Sequence, residues 1–128
     1  MSDNRGYEEI SSSKYVAAPG SGATITLYDS NVNVGTNRST PHRGLRYKHV
    51  TVSGMTSHSS AANGLRLFNC FDGTTFETAA SQDESVTGGT EFKFDFTPSA
   101  PRWKITYEND TNVLTTWRFS IEADTNIP

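Results

Sequence analysis

The chain has few of the residues on which small catalytic and metal sites depend. Its 128 residues include one cysteine, Cys70, and three isolated histidines, so we expect neither an internal disulfide nor a zinc site. It has no phosphate-binding P-loop, no dinucleotide fingerprint and no Gly-x-Ser-x-Gly motif, the usual signs of nucleotide or acyl chemistry. We therefore predict that the chain is not an enzyme and needs no cofactor. A hydrolase whose serine or carboxylate meets its partners only in the fold has the least support.

Positive charge and long apolar runs are also scarce. Eleven Lys and Arg residues are scattered among fourteen Asp and Glu, which leaves a net charge of −3. Nucleic-acid binding requires clustered cations that neutralise phosphates, so we expect no nucleic-acid partner. No apolar run approaches the roughly 20 residues of a membrane helix, and the first residues lack the apolar core of a signal peptide. We expect no membrane partner and synthesis in the cytoplasm.

Strict alternation of apolar and polar residues is abundant near the carboxyl end. Three segments, 91–96, 102–107 and 117–122, each place large apolar side chains at every second position. A strand sends successive side chains to opposite faces, so this period of two predicts half-buried antiparallel strands. Prolines separate the first two segments, and Asn and Asp separate the last two. The pattern predicts a three-stranded meander whose apolar face a second sheet must cover.

The rest of the chain predicts further short strands separated by polar connections. We expect strands at 14–18, 23–29, 44–54 with a bulge near Lys48, and a 65–71/74–78 hairpin around the Asp72-Gly73 turn. We expect connections at 55–63 and 79–90. Together these elements predict an all-β fold, an antiparallel β-sandwich or jelly roll of seven or eight strands. Residues 14–128 would form this single domain, and residues 1–13 a flexible, extended N-terminal arm.

Partner contacts are predicted in three parts of the chain: the N-terminal arm, the 30–43 loop and the 65–71 strand. The 30–43 loop is long and rich in Asn and Thr, and its partial match to a calcium loop from Asp29 fails at Val34 and Thr40, so we predict no metal site. The 65–71 strand is apolar on both faces, so either the chain itself or another subunit must cover its second face. The predicted partner-binding residues are Tyr7, Tyr15, Asn31, Asn33, Asn37, Arg38, Phe68 and Cys70.

The Arg102–Ile121 segment resembles a pattern in small β-sandwich structural proteins of tailed-phage virions. In that pattern, an Arg-x-Lys-x-x-Tyr-x-Asn strand leads through a polar turn into a Thr-Thr-x-x-Phe strand. The matching residues in this chain are Arg102, Lys104, Tyr107, Asn109, Thr115, Thr116 and Phe119. The resemblance covers about a sixth of the chain and implies a non-enzymatic virion component.

Two classes of function follow as expectations. The first is a virion structural protein, such as a capsid decoration (cement) protein or a small tail or baseplate component. It would bind the major capsid protein or other virion proteins as a homo-oligomer, with a trimer favoured. The second is a carbohydrate-binding or receptor-binding β-sandwich module. Two or more solvent-facing aromatic side chains would favour the second class, whereas aromatic side chains buried in the core or between subunits would favour the first.

Overall fold

The computed structural model describes residues 7–30, 49–72, 74–100 and 102–124, with only the backbone for residues 7 and 8. These residues form eight strands and no helix. The strands are β1 (Tyr7–Ser12), β2 (Thr24–Asp29), β3 (Val50–Thr56), β4 (Ser60–Cys70), β5 (Gln82–Glu84), β6 (Glu91–Phe96), β7 (Arg102–Asn109) and β8 (Trp117–Asp124).

The strands form two four-stranded antiparallel sheets. The first sheet has the order β1-β8-β3-β6 and the second the order β2-β7-β4-β5. One hydrophobic cluster contains buried residues from both sheets, as in a β-sandwich. The prediction of an all-β sandwich is therefore confirmed.

The core lies between β7 of the second sheet and the inner faces of β3 and β8. Trp103, Ile105 and Tyr107 occupy alternate positions of β7, and none is more than 1% exposed. Val52 and Ile121 are cross-strand partners in the first sheet and are fully buried. Burial of each large side chain contributes roughly 1.5 to 3 kcal/mol before entropy is subtracted. The alternation of the last three strands thus supplies much of the driving force for folding.

The predicted meander near the carboxyl end is wrong, although its three strands exist. β6 pairs with β3, β7 lies between β2 and β4, and β8 lies between β1 and β3. The connections after β6 and after β7 both cross from one sheet to the other. Alternation determines which face of a strand is apolar, but it does not determine the neighbours of that strand. The apolar face of β7 therefore lies across the sandwich from those of β6 and β8, and no two of these three strands are neighbours in a sheet.

The predicted N-terminal arm is also wrong from Tyr7 onwards. β1 pairs with β8 at the edge of the first sheet, and Ile10 is fully buried in the core. The register of the pairing between β1 and β8 shifts between Glu9 and Ser11. Such a shift is a β-bulge, which interrupts the alternation by which a strand is recognised in a sequence. Residues 1–6 lie outside the described residues. The edge strand expected at 14–18 is absent there, because residues 13–15 form a turn.

The predicted hairpin after β4 does not form, because residues 74–78 are not a strand. Asp72 instead accepts hydrogen bonds from the backbone N–H groups of Thr74 and Thr75, at 2.9 and 2.8 Å. Asp side chains commonly close turns in this way. The strand that pairs with β4 in place of the predicted hairpin arm is β5, which lies within the predicted 79–90 connection. The predicted 55–63 connection is also shorter than expected, because β3 and β4 extend into it. The start of the predicted 44–54 strand lies outside the described residues.

The pairings give the sandwich two distinct ends. Cys70 pairs with Arg102, Val50 pairs with Phe96, and Tyr7 pairs with Asp124. Because five residues connect Phe96 to Arg102, all these pairs lie at one end, which we call the Phe71 end. Val113 lies in the connection between β7 and β8 at the opposite end, the Val113 end.

Candidate partner-binding surface

Aromatic rings and cations alternate on the outer face of the second sheet. Phe68 and Lys104 are cross-strand partners on β4 and β7. The Nζ of Lys104 lies 5.6 Å from the centre of the Phe68 ring and 4.3 Å from that of Phe76. The guanidinium of Arg102 lies 4.7 Å from the centre of the Phe76 ring. These distances are those of cation–π contacts, so the cations hold the rings in place.

Phe71 follows Cys70, the cross-strand partner of Arg102, so its backbone lies near the start of β7 at the Phe71 end. Phe71 is 62% exposed, and the other large hydrophobic side chain with high exposure among the described residues is Val113. An exposed Phe and a cluster of aromatic rings and cations at the same end of the sandwich together have the composition of an interface core. We call Phe68, Phe71, Phe76, Arg102 and Lys104 the aromatic–cationic patch.

Arg102 is fixed in the patch by Asp29, the last residue of β2. Its Nη2 donates to Oδ2 of Asp29 at 3.0 Å and its Nε donates to Oδ1 at 3.3 Å. This two-point geometry holds the planar guanidinium in one orientation. The same hydrogen bonds are the main cause that raises the pKa of Arg102. Asp29, which begins the partial calcium-loop match, is thus engaged by a cation of the chain itself.

Two carboxylates shape the loop that carries Phe76. The hydrogen bonds from the N–H groups of Thr75 and Thr74 lower the pKa of Asp72 to about 2. Oε1 of Glu77 accepts hydrogen bonds from Oγ of Ser81 at 2.6 Å and from the backbone N–H of Asn69 at 3.0 Å. These bonds, with that from Ser81 the larger cause, lower the pKa of Glu77. The loop is therefore organised by polar contacts at both of its ends.

Asn69 anchors the loop to the body of the sandwich. Its side chain is fully buried, its Nδ2 donates to Oγ of Ser81 at 2.9 Å, and its Oδ1 accepts from the backbone N–H of Ser99 at 3.1 Å. One amide therefore joins the loop after β4 to the connection between β6 and β7. Sequence alternation gave no sign of this role, because Asn69 stands at an inward position between apolar residues.

The structure separates the two residues predicted on β4. Phe68 is half-buried and belongs to the aromatic–cationic patch. Cys70 is fully buried, and its thiol donates to Oδ1 of Asp72 at 3.6 Å. We expected the second face of β4 to be covered either by the chain itself or by another subunit. At Cys70, the chain itself covers this face. Cys70 is not available on the surface of a single chain.

The other predicted partner-binding residues are not brought together with Phe68. Tyr15 is half-buried in the turn after β1, at the Val113 end. The side chain of Tyr7 lies outside the described residues, as do Asn31, Asn33, Asn37 and Arg38. Ser30 and His49 flank the segment that contains those four residues, and both lie at the Phe71 end.

Sequence reasoning missed Phe76, Arg102 and Lys104 as members of the patch. The available signal was the charge on the polar face of β7, where Arg102 and Lys104 stand two residues apart. Without the pairing of β4 with β7, that signal could not be connected to Phe68. Phe76 was assigned to a strand that does not form.

Residues 7–30, 49–72, 74–100 and 102–124 contain no group of three or more His, Cys, Asp or Glu side chains that could hold a metal ion. They also contain no helix long and apolar enough to cross a membrane.

Comparisons with protein-family models, with curated proteins and with solved structures give no match.

Proposed function

We propose that this chain is a non-enzymatic structural protein of a virion, a capsid decoration protein that stabilises a shell by adhesion. The observation that carries this proposal is the aromatic–cationic patch, in which Phe71 is exposed and the other four residues are half-buried. Interface cores are enriched in aromatic residues and Arg, and a few such residues carry most of the binding energy. Phe71 supplies exposed apolar area, and Arg102 and Lys104 supply positive charge next to the Phe76 ring.

The order of the strands adds support. Strand β1 pairs with β8, β2 with β7, β3 with β6 and β4 with β5. We assign this nested pairing to a jelly roll, an architecture found in viral capsid and lectin domains. The support is an analogy of fold, since one fold serves many functions. The resemblance of Arg102–Ile121 to tailed-phage β-sandwich proteins points in the same direction.

The proposed mechanism is multivalent adhesion, with no chemical step. The chain would form a homo-oligomer, with a trimer favoured, whose copies present their patches to the major capsid protein or to other virion proteins. Contacts that are weak singly become strong when several are linked, because later binding events are intramolecular. A shell bridged at many points would resist internal pressure, and the protein would be located in the virion.

A pair of matched variants tests this proposal. Phe71→Ser removes the exposed ring at one end of the sandwich, and Val113→Ser removes the other highly exposed apolar side chain, at the opposite end. Both positions are exposed, so neither change should alter stability by more than about 0.5 kcal/mol. Analytical ultracentrifugation would give the oligomeric state, and co-sedimentation would measure binding to phage heads emptied of DNA.

The expected result is that the original chain and Val113→Ser form oligomers and sediment with heads, whereas Phe71→Ser loses binding by about tenfold or more. Equal binding by both variants would overturn the role of the patch. A monomer that sediments with neither heads nor tails would overturn the proposal itself. Binding to tails alone would replace decoration with the tail or baseplate role.

The second candidate is a carbohydrate-binding or receptor-binding module. Stacking on sugars favours at least two exposed rings, and Phe71 is the aromatic residue with high exposure among the described large hydrophobic side chains. Trp103 is fully buried and Trp117 is half-buried against Tyr107, at a ring distance of 5.1 Å. We therefore rank sugar stacking second. A glycan array with a monomeric chain that binds one sugar through Phe71 would reverse this order.

A further inference from the structure

An open hollow lies on the outer face of the first sheet, on the opposite side of the sandwich from the aromatic–cationic patch. Its volume is about 440 Å³, within the range of roughly 300 to 1,000 Å³ that is usual for small-molecule sites. Strands β3, β6 and β8 supply its walls. The lining residues are Ser53, Gly54, Met55, Glu91, Phe92, Lys93 and Arg118.

Arg118 is the first residue that suggests a ligand. Its Nη2 donates to Sδ of Met55 at 3.2 Å, and it has no ion pair with a carboxylate among the described residues. A thioether is a weak acceptor, whereas the guanidinium has five donors arranged to match a carboxylate. Met55 therefore positions the guanidinium without neutralising it.

Lys93 supplies a second cation diagonally across the hollow. Arg118 pairs with Met55 on β3, and Lys93 pairs with Ser53, two residues away on the same strand. From the usual strand spacing and rise, the two Cα atoms are about 12 Å apart. Long side chains from both sides can reach an anion placed between them. Among the described residues, Lys93 has no acidic partner either.

The remaining polar groups fit hydroxyls better than a second negative charge. Glu91 pairs with Met55 from the side opposite Arg118 and would accept hydrogen bonds from ligand hydroxyls. It would repel a phosphate dianion, because both would be negatively charged. The Ser53 hydroxyl has no hydrogen bond to the described residues and can donate or accept. A small carboxylate without hydroxyls would leave both of these groups unused.

We propose that this hollow binds a carboxylated sugar residue of the uronic acid type. Arg118 and Lys93 hold its carboxylate, and Glu91 and Ser53 bind its hydroxyls. The site is separate from the aromatic–cationic patch and uses no aromatic stacking. It therefore goes beyond the proposed adhesion to virion proteins, and its failure would leave that proposal intact.

Binding of three small probes to the full chain tests the site by two-dimensional amide NMR. Methyl β-glucuronide carries both the carboxylate and the hydroxyls, methyl β-glucoside lacks the carboxylate, and acetate lacks the hydroxyls. We expect saturable shifts at the amides of Ser53, Met55, Lys93 and Arg118 with the glucuronide. The other two probes should bind about tenfold more weakly or worse, since each loses charge-assisted or hydroxyl hydrogen bonds.

Variants separate the site from general effects of charge. Arg118→Gln and Lys93→Gln should each weaken glucuronide binding by about tenfold, with spectra that otherwise match the original chain. Arg66→Gln removes one positive charge from β4 of the other sheet and should leave binding unchanged. No saturation at tens of millimolar glucuronide, equal binding of the glucoside or of acetate, or equal loss in Arg66→Gln would each overturn the proposal.

Discussion

Arg102 and Asp29 join the start of β7 to the end of β2 through two hydrogen bonds, of 3.0 and 3.3 Å. The side chain of Arg102 is 24% exposed and that of Asp29 is 10% exposed. If one partner is lost, water therefore cannot fully hydrate the charge of the other. The same pair orients the guanidinium over the Phe76 ring. It therefore connects the stability of the second sheet to the order of the patch.

Substitution of either partner should destabilise the fold. We expect Asp29→Asn and Arg102→Gln each to lower the free energy of unfolding by about 1 to 3 kcal/mol, because each leaves a partly buried group unsatisfied. Urea denaturation of both single variants and of the double variant would measure the coupling. A coupling of about 1 kcal/mol or more is expected, and strict additivity would contradict the pairing.

Gly54 should tolerate no side chain. A Cβ at this position would lie 2.0 Å from the carbonyl oxygen of Arg118 and 2.8 Å from the Cα of Phe119. Both obstacles are backbone atoms of β8, the strand that pairs with β3 at the centre of the sheet. We expect Gly54→Ala to destabilise by about 3 kcal/mol or more, since β3 and β8 must separate. Thermal and urea unfolding would measure it.

Gly20 provides the matched control for this substitution. A Cβ at Gly20 would meet no atom within 4 Å, so Gly20→Ala should be neutral or stabilising by up to about 1 kcal/mol. Equal effects of the two substitutions would contradict the close approach of β3 and β8 at Gly54.

Asn69 should control the order of the loop that carries Phe76. Asn69→Ala removes the hydrogen bonds to Ser81 and Ser99 and leaves buried polar groups unsatisfied, at an expected cost of about 1 to 3 kcal/mol. Hydrogen exchange should accelerate in residues 74–81 more than in β8. Uniform acceleration across the chain would indicate instead that Asn69 supports the whole sandwich.

The turn at Asp72 should loosen in acid. Its pKa is lowered from the ordinary value of 3.8 to about 2 by hydrogen bonds from the N–H groups of Thr75 and Thr74. Because this pKa is lower in the folded chain, the ionised carboxylate stabilises the turn fully at pH values above about 4. This contribution is lost as the pH falls through about 2. NMR titration of the Asp72 carboxyl carbon would measure the midpoint. A midpoint near 3.8 would contradict the two hydrogen bonds.

Asp72→Asn is the control for that titration. Asn keeps one acceptor oxygen for the N–H groups but does not titrate. In this variant the amide signals of Thr74 and Thr75 should show no transition near pH 2. A transition that persists would have to arise from another carboxylate.

The sequence predicted strands well where alternation is uninterrupted. β6, β7 and β8 were located from Phe92, Trp103 and Phe119 and their alternate neighbours, because one buried face imposes a period of two. β1 was missed because the bulge at Ile10 interrupts that period. The Asp72-Gly73 turn was misread because an Asp side chain that accepts backbone N–H groups closes a turn without a following strand.

The candidate surface was harder to predict than the strands. Phe68 was identified from its position on a strand that is apolar on both faces. Its partners, Lys104 and Phe76, are 36 and 8 residues away in the chain. Their proximity depends on the pairing of β4 with β7, and strand order is not encoded in local periodicity. The burial of Cys70 depends in the same way on a loop that folds back.

The pairing of Tyr7 with Asp124 brings the first and last described residues side by side, with Cα atoms about 5 Å apart. The domain can therefore be inserted into a surface loop of an unrelated host protein without distorting that loop. A circular permutant that links these two positions and opens at the 110–116 connection should keep both sheets. A reporter fused directly to Tyr7 or to Asp124 would begin at the Phe71 end of the sandwich, whereas Val113 lies at the opposite end.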